Sequence, residues 1–96
     1  MIVKTYFKTK DYCKVKFSYD LAGAEQVEII GLQGDWANPV AMTKKKNGIF
    51  THEAALPKNT EHEFKYRINM AVWANEPAAD AQKPNIFGSS NSVLVV

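Results

Sequence analysis

Apolar side chains along this chain recur at every second residue, and the three-to-four-residue recurrence of an amphipathic helix is almost absent. Tyr12 to Tyr19 puts Cys13, Val15, Phe17 and Tyr19 on one side, with Lys14 and Lys16 on the other. Glu61 to Ile68 repeats the pattern, with Phe64, Tyr66 and Ile68 set against Lys65 and Arg67. A pleated strand sends successive side chains to opposite faces, so such segments bury one face and leave the other for water or a ligand. Val27 to Gly31, rich in β-branched residues, reads as another strand. Met42 opens a short extended piece that runs into Asn47-Gly48, the strongest hairpin signal in the chain, and Ile49 to Leu56 follows it. Pro57 to Thr60 reads as a loop, Asn69 to Val72 as a turn, and Asn75 to Asn85 as a long loop with one helical turn. Ser92 to Val96 closes the chain as a terminal strand. The first and terminal strands are the candidates for open sheet edges. About seven short strands in this span define an all-β, immunoglobulin-like (early-set) sandwich of antiparallel strands, one domain over residues 1–96.

Length and charge narrow the function classes. At 96 residues the chain is far short of the roughly 250 that a catalytic (β/α)8 barrel needs. Twelve basic against ten acidic residues give a net charge of +2, too little for an electrostatic nucleic-acid or anionic-membrane surface. The first six residues lack the apolar run of a signal peptide, and no stretch approaches the roughly 20 apolar residues of a membrane span. The one cysteine, Cys13, alternates with lysines inside a strand and reads as a core residue. A cytoplasmic location follows as the expectation.

Catalytic and cofactor signals are thin. His52 and His62 with one cysteine give no zinc-ligand spacing, and the five glycines are scattered instead of forming a phosphate loop. Ser89, Ser90 and Ser92 carry no nucleophile motif. Glu53, Glu61 and Glu63 fall at outward strand positions, and Asp35, Glu76 and Asp80 in loops, so all six read as solvated charges and not as an acid–base pair. No catalytic residue, metal or cofactor is expected.

The two tryptophans carry more information. Trp36 lies in Gly34-Asp35-Trp36-Ala37-Asn38-Pro39 and Trp73 just past the Asn69 turn, both in turn-rich segments instead of strand centres. A large aromatic on a loop needs a reason to face water, and a sugar ring supplies one. Its C–H face stacks on an indole, while its rim hydroxyls call for amines, amides and hydroxyls around that platform.

From about Lys14 to Val96 the chain resembles carbohydrate-binding module family 48, the isoamylase-N-terminal-like early-set domains. That family includes the glycogen-binding domain of the AMP-activated protein kinase beta subunit and the domain preceding the barrel in branching and debranching enzymes. Val27-Glu28-Ile29-Ile30-Gly31 leading to Trp36 is similar to its "strand, Gly, then Asn/Asp-Trp" element. Phe64-Lys65-Tyr66-Arg67-Ile68, a turn, Trp73 and Glu76-Pro77 resemble its "aromatic-Lys-aromatic, turn, Trp, acidic-Pro" segment. Phe87-Gly88-Ser89-Ser90-Asn91-Ser92-Val93 is similar to its closing "apolar-Gly-Thr-x-Asn-x-Val" element. The resemblance implies a carbohydrate-binding set of Trp36, Lys65, Trp73, Phe87, Ser89 and Asn91. Trp36 and Trp73 would stack on consecutive glucose units of an α-1,4-glucan such as glycogen or starch, and Lys65 and Asn91 would hydrogen-bond sugar hydroxyls. Ser89 stands for the family threonine and Phe87 for a leucine that wedges against the curved chain. Lys65 points outward, opposite Phe64 and Tyr66, and its amine is expected to be free.

The chain departs from the family at Gln33-Gly34, where phenylalanine and asparagine are usual. It departs again at Asn69-Met70-Ala71-Val72, which replaces an Asp-Gly turn. The expected function is non-catalytic α-glucan binding, accessory to glycogen metabolism. With no barrel in 96 residues, the module is expected to stand alone or to serve a glycogen-metabolising enzyme or regulatory protein in trans. The alternative is a protein-interaction or regulatory early-set domain without sugar binding.

Overall fold

In the computed structural model, which describes residues 1–96, the alternating segments become the strands of two antiparallel sheets packed as a sandwich. The strands are β1 (Ile2–Tyr6), β2 (Tyr12–Tyr19), β3 (Val27–Ile30), β4 (Val40–Ala41) and β5 (Thr43–Lys44). They continue as β6 (Phe50–Pro57), β7 (Glu61–Ile68), β8 (Val72–Ala74), β9 (Ala81–Pro84) and β10 (Ser90–Val95). One sheet runs β1-β2-β6-β5 and the other β4-β3-β7-β10-β9. β8 pairs with the second half of β7, with Arg67 opposite Trp73, while β10 pairs with its first half. No helix is long and apolar enough to cross a membrane.

The inward positions make the core. Cys13, Val15 and Phe17 of β2, Val27 and Ile29 of β3, Phe50 and Leu56 of β6, Phe64, Tyr66 and Ile68 of β7, and Leu94 of β10 form one buried cluster. Phe17 meets Phe64 edge-on with ring centres 5.4 Å apart, and Phe64 meets Tyr66 at 5.7 Å. Edge-to-face pairs of this kind add about 0.5–1.5 kcal/mol beyond the area they bury.

Three expectations are corrected. There are ten strands instead of about seven, because Ile2–Tyr6 pairs with β2 and three further strands are only two or three residues long. The loop from Asn75 has no helical turn; its last part is β9, which has little strand propensity of its own and is ordered by pairing with β10. The terminal strand is not an edge, since β10 lies between β7 and β9, and Tyr12–Tyr19 is likewise internal between β1 and β6.

A fourth correction concerns Glu76, which is 1% exposed instead of solvated. Its Oε1 accepts from the Tyr66 hydroxyl at 3.1 Å and pairs with the Met1 ammonium, and its Oε2 accepts the Ala78 N–H at 3.2 Å. Its own N–H donates to Ser92 Oγ at 2.8 Å. Burial, and then the adjacent carboxylate, drives the Tyr66 phenol far above its usual range. A buried carboxylate persists only when its oxygens are partnered, as these are. Replacing Glu76 with alanine leaves the buried Tyr66 hydroxyl without its acceptor. The expected loss is about 2–3 kcal/mol in urea denaturation, with Tyr66→Phe costing less because no group is orphaned.

Candidate functional site

The loop that carries Trp36 begins where Gly31 ends β3 at φ 109°. A single 3-10 turn, Leu32–Gly34, follows, with Gln33 and Gly34 also at positive φ (57° and 75°). The loop is tied to itself: Gly31 N–H donates to Asp35 O at 3.1 Å, and the Asp35 carboxylate accepts the Ala37 and Asn38 N–H groups at 3.2 Å. Trp36 lies directly against Gly31. A Cβ there would stand 2.7 Å from Trp36 Cζ2 and 2.6 Å from the Glu63 carbonyl oxygen. The indole is thus seated on backbone while 44% of Trp36 stays exposed.

The Gln33–Gly34 turn is also tied to β7. The Gln33 N–H donates to Nδ1 of His62 at 3.1 Å, and His62 Nε2 lies 2.9 Å from Thr60 Oγ1, whose own proton goes to Pro57 O. That chain requires a neutral imidazole with its proton on Nε2. Burial holds His62 below the usual imidazole value, and burial outweighs Glu53 in doing the same to His52. A base whose folded-state pKa is depressed binds protons more readily when unfolded. Its stabilisation is therefore complete above about pH 6.5 and declines as the pH falls below it. Melting temperature is expected to drop between pH 7 and 5.5, and a flat profile there would contradict this assignment.

Trp73 is at the centre of β8, not in a turn. The preceding turn places Asn69 and Met70 at φ 51° and 56° with Ala71 N–H on Ile68 O at 3.0 Å, the tight hairpin geometry usually served by Asn-Gly. The Asn69 side chain offsets the missing glycine by accepting the Glu25 and Gln26 N–H groups at 2.9 and 3.0 Å. Trp73 is 50% exposed.

The third part is the β9–β10 loop, organised by Asn85. Its Oδ1 accepts the Phe87 and Ser89 N–H groups at 2.9 and 3.2 Å, and its Nδ2 donates to Ser89 Oγ at 2.9 Å and Asn91 Oδ1 at 3.1 Å. Ile86 and Phe87, 93% and 85% exposed, stand at the tip. From β7, Lys65 Nζ donates to Ser89 Oγ at 3.3 Å and Ser90 O at 3.0 Å. The Lys65 amine is therefore not free: two of its three hydrogens are engaged and one remains. Ser89 Oγ accepts from both Lys65 and Asn85, which leaves its own proton to donate. Asn91 Nδ2 donates to Glu63 Oε1 at 3.2 Å, and Glu63 also faces Lys83 Nζ at 3.7 Å.

All six residues, Trp36, Lys65, Trp73, Phe87, Ser89 and Asn91, line one open groove of about 900 Å³. Glu63, Lys83, Pro84, Asn85 and Ile86 complete its walls. Of these, Glu63 was accessible to sequence reasoning, since it shares the outward face of β7 with Lys65. Asn85 was not, because its role rests on contacts closed by the loop. The groove combines aromatic and aliphatic surface with hydroxyl, amide and ammonium donors. Nowhere in the chain do three or more His, Cys, Asp or Glu side chains gather as a metal would require.

Neither a family model nor any curated protein matches this chain. Among solved structures, it is similar to a 1.4 Å crystal structure of a Salmonella typhimurium chain provisionally assigned as an alpha amylase. The TM-score is 0.70 at 22% identity, over 97% of this chain but 14% of that one. The fold is thus shared with a small part of a much longer protein, and this chain spans about one seventh of that length.

Gly31→Ala tests how Trp36 is seated. The substitution strains a left-handed backbone and drives a methyl into the indole and the Glu63 carbonyl. It is expected to cost about 1–3 kcal/mol and to red-shift tryptophan emission as the ring is displaced into water.

Proposed function

We propose that this chain is a non-catalytic module that binds α-1,4-linked glucan along the outer face of β7, β8 and the β9–β10 loop. The observation that carries this reading is the convergence of all six positions in one groove, with two half-exposed indoles and unspent donors on Lys65, Ser89 and Asn91. The indoles take the C–H faces of glucose rings, the polar groups take rim hydroxyls, and Phe87 presses on the chain between them. Phe87 stands on a loop already ordered by Asn85, so little conformational freedom is lost there on binding. Affinity is expected to be modest, with Kd roughly 10 μM to 1 mM, or about −7 to −4 kcal/mol. The natural partners on this reading are glycogen or starch chains in the cytoplasm and an enzyme of glycogen metabolism.

The test is an NMR titration of the labelled chain with maltoheptaose, following both indole N–H signals and the Lys65, Ser89 and Asn91 amides. All should shift together, and Trp36→Ala should abolish the response while leaving the dispersed β-sheet spectrum intact. Indoles that stay still at millimolar sugar would overturn the reading and direct attention to protein partners.

A further inference from the structure

On the outer face of the second sheet, one rung of side chains crosses three neighbouring strands in register. Glu28 of β3 lies opposite Arg67 of β7, which lies opposite Trp73 of β8. Glu28 Oε1 accepts from Arg67 Nε at 2.9 Å and pairs with Nη2 at 2.8 Å. The Arg67 guanidinium carbon stands 5.8 Å from the centre of the Trp73 ring, within cation–π range. Glu28 is buried and the Arg67 side chain is 23% exposed, so the ion pair is partly removed from water and screened by salt less than a surface pair. Arg67 does not line the groove, whereas Trp73 does.

The geometry points to Arg67 as a positioning residue for Trp73, with Glu28 fixing the guanidinium that holds the ring; its consequence for binding rests on the glucan reading above. Two bonds to one carboxylate oxygen stop the guanidinium from swinging away. A planar cation at that place holds the indole by attraction to its π face, which no neutral side chain of similar size would do. Trp73 stands on a three-residue strand and is 50% exposed, so packing covers only about half of it. A ring held before the ligand arrives binds without the cost of being ordered then.

The experiment combines side-chain indole relaxation with maltoheptaose titration in four variants: Glu28→Gln, Arg67→Lys, Trp73→Ala, and Glu28→Gln with Trp73→Ala. Glu28→Gln is expected to lower the Trp73 indole order parameter, leave that of Trp36 unchanged, and weaken binding about five-fold. In the Trp73→Ala background the same change should add less than about two-fold, since Glu28 then has no ring to act through. Equal losses in both backgrounds, or an unchanged Trp73 order parameter, would overturn the inference. Should Glu28→Gln fail to fold, Arg67→Lys serves instead: it keeps the charge but not the planar stack, and the same loss of Trp73 order is expected. A wild-type chain that ignores maltoheptaose would sink the glucan reading alone, because relaxation in the free protein still decides whether Glu28 and Arg67 hold the ring.

Discussion

Two-residue alternation along β7 governs both the stability of this molecule and its surface chemistry. The strand sits between β3 on one edge and β10 and then β8 on the other, so almost its whole length is paired. Phe64, Tyr66 and Ile68 face inward to the centre of the core, while Glu63, Lys65 and Arg67, each one residue before them, face outward. Sliding β7 by one residue against its neighbours would expose the aromatics and bury three charges. The register that keeps the sandwich folded is thus the register that places Lys65 in the groove and Arg67 beside Trp73.

Around that strand the site is assembled from loops, yet the loops are cross-tied. Trp36 lies against Gly31, and its turn is pinned to β7 through His62. The β9–β10 loop is closed by Asn85 and tethered to β7 through Lys65. The His62 and Lys65 contacts join the two loops to the same strand, which is how short connections hold side chains in fixed relation without helices or disulfides beneath them.

Sequence patterning reached the long strands because alternation over eight residues, as in β2 and β7, is a strong signal that tertiary contacts only reinforce. It missed β9, where Ala-Gln-Lys-Pro has no strand preference and pairing with β10 decides the conformation. The burial of Glu76 was equally invisible, since nothing in Asn75-Glu76-Pro77 marks a residue whose carboxylate will meet Tyr66 of β7 and whose N–H will meet Ser92 of β10. The six groove positions were legible as a set through family resemblance. What could not be read was how many donors each keeps, because the Lys65 contacts to Ser89 and Ser90 arise only when β7 meets the β9–β10 loop.

β9 forms one rim of the groove and is also the last strand of its sheet, with all four residues exposed. An unpaired strand edge invites the backbone of another molecule to add to it. Here the edge carries Lys83 and Pro84. Asn85 directs its N–H to Ser89, so by alternation the Pro84 position faces away from β10, where its ring has no N–H to offer a newcomer. The residues that border the groove therefore also guard it against self-association, and a change at Pro84 or Lys83 made to alter ligand preference would put colloidal solubility at stake as well.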